Sequence, residues 1–161
     1  MNLYSVIKVL HILAVTAIIG GVVGRALIRA RLVRLDDIYL VREFVVLEGH
    51  FDQWLVIHGW NTTLLTGLLL TWLGHWPLLI AGVPTWTLVG AVLFLTIIPL
   101  VIWVYIPRGK IFGEVFQKAL AQERVTAELR AAFSDQEIHA YWLYEYLMLP
   151  VVLTLMVVKS F

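Results

Sequence analysis

The amino-acid sequence predicts an all-α membrane protein, a single domain over residues 1–161 built as a four-transmembrane-helix bundle. Three observations predict it. Hydrophobic residues make up 61% of the chain and charged residues 14%, where soluble domains hold about 45–50% and about 25%. Four stretches reach the ~20 mostly apolar residues that a crossing helix needs, at about 3–24, 53–73, 85–106 and 138–158. Ten of the 12 Lys and Arg residues fall in two alternate connections, the asymmetry that orients membrane helices.

The first span opens near Leu3 and closes at Gly24, before Arg25. It lacks the basic start of a cleaved signal peptide and is expected to be retained. Ala14, Ala17, Gly21 and the pair Gly20 and Gly24 give it a small-residue face. Such faces let helix backbones approach closely, within a bundle or across a homodimer. Asp36 or Asp37 is placed to cap a helix that begins at Ile38 and runs into the second span. That span carries Asn61, Thr62, Thr63 and Thr66, expected to hydrogen-bond across helices. Pro84 and Pro107 bracket the third span, and Pro99 and Pro150 sit inside the third and fourth, where membrane helices tolerate them as kinks. Between spans three and four, Phe112, Phe116 and Leu120, then Val125, Leu129 and Phe133, recur at helical spacing among charges. The pattern predicts an amphipathic cytoplasmic helix lying on the membrane or against the bundle.

Topology follows from charge. The basic connections hold Arg25, Arg29, Arg31, Arg34 and Arg42, then Arg108, Lys110, Lys118, Arg124 and Arg130, while residues 74–84 hold no Lys or Arg. Both basic connections are expected in the cytoplasm, with both termini outside a bacterial cytoplasmic membrane. Trp72, Trp76 and Trp86 would form an outer aromatic belt, and Trp54, Tyr105 and Trp142 part of an inner one.

Composition also excludes chemistry. There is no Cys, so disulfides, thiolate metal sites and Cys nucleophiles are out. A net charge of +1 selects no nucleic acid. What remains is a short set of ionisable residues within or beside the spans, where charge is expensive and points to function. These are Lys8, His11, His58 and Glu145, with His50, Asp52, Glu137 and His139 near the inner surface. Helix rise puts His11 about 12 Å from the outer surface and His58 and Glu145 at matching inner depth. His11 with His58 or Met148 is a workable axial pair for a haem, or, for the two histidines, a metal site. His58, Glu145 and His139 could instead relay protons. Each also has a plainer use: a lone His can hydrogen-bond a neighbouring carbonyl, Met148 can fill the core, and Lys8 can snorkel.

The Lys8-x-x-His11 start, Gly20-Gly21 and Arg25 at the exit resemble the opening of small bacterial membrane proteins. These include the HemJ-type protoporphyrinogen oxidase and the copper-resistance D-type membrane domain. Across its length the chain looks closest to an uncharacterised bacterial family of predicted integral membrane proteins. The shared features are Lys8-x-x-His11, Thr66-Gly67-Leu68, Trp76-Pro77-Leu78 and Pro99 to Trp103 with a basic exit. The resemblance implies that His11 is tied to a b-type haem. The basic residue of the third HemJ-type span has no counterpart here. The expected function is a small redox protein of the membrane binding one haem, working with the lipid bilayer and other membrane redox subunits. Its alternatives are an accessory subunit of a larger membrane complex, or a small proton-coupled or metal transporter.

Overall fold

The computed structural model describes residues 2–74 and 85–158. Every regular element among them is helical: α1 (Leu3–Leu32), α2 (Ile38–His50), a π-helical turn (Phe51–Ile57), α3 (His58–Leu73), α4 (Thr85–Leu95), α5 (Ile97–Leu100), a second π-helical turn (Val101–Tyr105), α6 (Ile106–Ala121), α7 (Ala127–Phe133) and α8 (Gln136–Val158). Two compact units form, Met1–Leu32 with Glu43–Val83, and Val33–Arg42 with Pro84–Phe161.

In the first unit α1 packs against the π-turn and α3 as an antiparallel hairpin. Asp37 starts the returning arm, its Oδ1 accepting from the Tyr39 N–H at 2.8 Å and the Leu40 N–H at 3.4 Å. Each step up α1 is matched by an equal step back along the return. His11 meets Thr66, Ile18 meets Gly59, Gly21 meets Val56, Arg25 meets Asp52 and Arg29 meets Glu48. Glycine makes this approach possible. A Cβ on Gly59 would stand 2.7 Å from Ile18 Cγ1, and one on Gly24 would stand 2.3 Å from the Phe51 ring. Gly20 faces open space, so the Gly20/Gly24 pair is divided between the inside of the hairpin and its outer surface.

Three helices among the described residues are long and apolar enough to cross a membrane: Leu3–Leu32, Leu88–Ala121 and Ala127–Val158. Two of these helices run on past the expected span ends. First, α1 runs eight residues past Gly24, where Arg25 and Arg29 have carboxylate partners on the return arm. Second, the helix of the third span continues through Pro107. The Ile106 N–H donates to Val101 O five residues back, and Pro107 enters the first turn of α6, where a missing N–H costs little. Segment 53–73 is not among the three, since His58, Asn61 and four threonines dilute its apolar run.

The amphipathic connection is likewise not one helix. It continues the third span as α6, ends at Ala121 and restarts as α7. Glu123 takes a left-handed φ of 52°. The Arg124 N–H then donates to Ala119 O, and the Glu123 N–H to Leu120 O. This is the double bond that closes a helix with one left-handed residue, a position glycine usually fills. Phe112 of α6 stacks on Phe116 and meets the Phe133 ring of α7, and Leu129 of α7 is fully buried. Asp135 Oδ1 caps α8 by accepting from the Glu137 and Ile138 N–H groups, and its other oxygen pairs with Arg108. The expected belt residues divide: Trp54 and Trp72 are well exposed, whereas Trp142 is buried in the second unit. Trp76 and the side chain of Trp86 lie outside the described residues.

Candidate functional site

His11 sits at the far end of the seam of the first unit from the Arg29–Glu48 pair. Its Nδ1 lies 2.9 Å from Thr66 Oγ1. The Thr66 hydroxyl has one proton and donates it to Thr62 O at 2.6 Å. Its lone pair therefore accepts the His11 Nδ1–H. The tautomer that fits this contact is the Nδ1-protonated one, with the electron pair on Nε2. Gly67 lies against the ring edge, where a Cβ would come 3.4 Å from Cε1. Orienting an imidazole through its other nitrogen is how proteins prepare histidine to ligate a metal.

His58 is elsewhere. It lies eight residues before Thr66, about 12 Å along a helix. Its side chain is exposed, 3.5 Å from Gln53 Nε2 and tilted against the Trp54 ring. The two imidazoles therefore sit at different depths on different faces of the hairpin. The row of hydroxyls also splits. Thr63 and Thr66 face α1, whereas Asn61 and Thr62 are exposed.

One constellation escaped sequence reasoning. Arg25 Nη1 lies 2.9 Å from Asp52 Oδ1, and Arg29 Nη1 lies 3.3 Å from Glu48 Oε2. All four side chains are largely buried, Arg25 at 2% exposure. Burial pushes the Glu48 carboxyl above its ordinary 4.5, helped by the charge of Asp52 and opposed by Arg29 and Arg25. Read one by one, Arg25 and Arg29 are loop cations, Asp52 is an interfacial acid and Glu48 draws no notice. The signal was present in the spacing: two arginines four apart and two carboxylates four apart, at mirrored distances from one turn.

In the second unit α8 buries Tyr141, Glu145, Met148, Leu149 and Val152 along one face. Glu145 has no exposed surface, and Met148 follows it one turn later. Glu137, Tyr141 and Glu145 stand four apart, leading from an exposed carboxylate to a buried one. Arg108 anchors the outer end, its Nε donating to Glu137 Oε2 at 2.8 Å. That hydrogen bond, with the charges of Asp135 and Glu137, raises the guanidinium's pKa further. Tyr144 and Thr96 share a hydrogen bond between α8 and the start of α5. His139 turns outward, with Nδ1 on Asp135 O and its ring edge-on to Trp142. Tyr141 shares the buried face of α8 with Glu145, and His139 does not. Lys8 and His50 are exposed.

No group of three or more His, Asp or Glu side chains among the described residues is arranged to hold a metal ion by itself. Comparison with known families gives one match: the model described as "Predicted integral membrane protein (DUF2269)" covers residues 5–160. No curated protein and no solved structure matches the chain. That match shows the family alone and no resemblance to the HemJ-type oxidase or the copper-resistance D-type domain.

Proposed function

We propose a function on one premise: the chain belongs to the DUF2269 family of predicted integral membrane proteins. It is a small redox protein of the bacterial cytoplasmic membrane that holds one b-type haem through His11. The observation that carries this reading is the Thr66 hydroxyl, which is placed to accept a hydrogen bond from His11 Nδ1–H and so put the ligand lone pair on Nε2. In the first unit His11 alone would hold the group, because His58 lies at another depth. Bound haem supplies one-electron chemistry at iron. The chain's own part is to orient the imidazole, through Thr66, and to enclose it among apolar helix faces.

Segment 53–73 is the fourth crossing in this reading. It runs beside α1 along most of its length, so its polar residues share α1's depth. The basic connections lie in the cytoplasm and the termini outside, by the charge rule.

The test is an absorption spectrum of detergent-purified protein expressed with haem supplied. A Soret band that is lost or shifted in His11→Ala is the expected result. No Soret band overturns the haem reading, and a band indifferent to His11→Ala overturns the ligand. Thr66→Val is expected to weaken haem binding by about 10–100-fold, as lost outer-shell partners do.

A second reading is favoured by the fully buried Glu145 at the end of the Glu137–Tyr141 row. In it the protein is a proton-coupled carrier and Glu145 binds the proton. Liposome flux abolished by Glu145→Gln supports it, and unchanged flux removes it.

A further inference from the structure

The return arm of the first unit has two faces. Val56, Gly59, Thr63 and Thr66 are buried, at the three- and four-residue spacing of one helix face. Trp54, His58, Asn61 and Leu65 keep the same spacing on the other side and are exposed, Trp54 at 66% and Leu65 at 61%. Asn61 falls between Gly59, which abuts Ile18, and Thr66, which holds His11. It is thus level with the middle of α1's apolar stretch. Its amide forms no side-chain hydrogen bond among the described residues. In hydrocarbon no water replaces that partner.

We infer that the face formed by Trp54, His58, Asn61 and Leu65 is the contact surface of a homodimer. The argument is chemical and geometric. An amide and a neutral imidazole each carry both a donor and an acceptor. The face is therefore complementary to itself and carries no fixed charge. Two copies inserted with the same topology are related by a two-fold axis along the membrane normal. That axis preserves depth, so Asn61 meets the second copy's Asn61 at its own level, with the two His58 rings about one turn away. A different partner would need its own polar side chain at that depth. The small-residue face of α1 is a poorer candidate, since Phe51 already covers Gly24.

The inference rests on residues 53–73 crossing the membrane. The cysteine-free chain suits the test, because a single introduced Cys reports alone. Asn61→Cys, Leu65→Cys and, as control, Gly20→Cys are oxidised in native membranes. A disulfide forms only where Cβ atoms approach to about 4 Å. Linked dimers at Asn61 and Leu65 and none at Gly20 are expected. Linkage at Gly20 alone, or at none of the three, overturns the proposal. Dimer dissociation in nanodiscs gives a second readout. Asn61→Leu should weaken association roughly three- to thirtyfold, the range for an interhelical hydrogen bond in a membrane, and Asn61→Gln should retain it. An association unchanged by Asn61→Leu counts against the proposal. Labelling of Asn61→Cys by a membrane-impermeant maleimide separates the two levels. Rapid labelling from either side removes the crossing and the dimer with it. Protection without linkage keeps the crossing and removes the dimer.

Discussion

Asp52→Asn is the sharpest perturbation of the hairpin. Asp52 Oδ1 stands 2.9 Å from the Nη1 of Arg25, whose side chain is 2% exposed. Opposite unit charges about 4 Å apart attract by about 4 kcal/mol at an effective dielectric constant near 20. The amide keeps a hydrogen-bond acceptor but no charge, and Arg25 cannot shed its proton. The buried guanidinium then loses its nearest counter-charge, and breaking such a pair from one side costs about 3–5 kcal/mol. The double variant Arg25→Met/Asp52→Leu removes both charges and fills the space with apolar atoms, which is often neutral or stabilising. The expected pattern is a strongly destabilised single variant and a double variant near the parent. The assay is unfolding in mixed micelles by SDS titration, followed by helical circular dichroism. Asp52→Asn within 1 kcal/mol of the parent, or a double variant worse than the single, refutes the reasoning.

Three further outcomes are expected in the same assay. Gly59→Ala forces a methyl to within 2.7 Å of Ile18 Cγ1 and 3.2 Å of Ala14 O, and should cost about 1–3 kcal/mol; Gly20→Ala, with nothing within 4 Å, should cost nothing. Glu123→Gly relieves a left-handed residue and should stabilise the α6–α7 junction by about 1 kcal/mol, seen as a later unfolding midpoint. The folded pKa of Glu48 lies above its ordinary 4.5, so its protonated form is favoured in the folded state. Its stabilising contribution is complete below pH 4.5 and declines as pH rises through the raised value, and Glu48→Gln should flatten that decline.

Much of the fold was legible because membrane insertion imposes long apolar runs that local composition displays. Asp37 as the cap of the return arm was readable for the same local reason. The errors lie where distant residues change what a local signal means. Arg25 reads as the end of a span until Asp52, 27 positions away, neutralises it. Pro107 reads as a terminator until the π-turn before it supplies a helix already under way. Glu123 reads as one more polar position on a helix face, with no Gly or Pro to announce the left-handed turn it makes. The candidate site was legible by residue and not by partnership. His11 stood out as a polar group in an apolar run, but Thr66 as the group that sets its tautomer depends on the register of two arms.

That register carries a consequence for how the gene can change. In the hairpin, forward steps on α1 are matched by equal backward steps on the return, from His11–Thr66 to Arg29–Glu48. Inserting one residue in either arm turns everything beyond it by about 100° around the helix axis. Larger residues would then take the glycines' places in the seam, and the arginines would turn away from their carboxylates. Length changes between Val33 and Asp37, outside both arms, leave every pairing intact. Surviving insertions and deletions in a variant library should therefore collect at that turn.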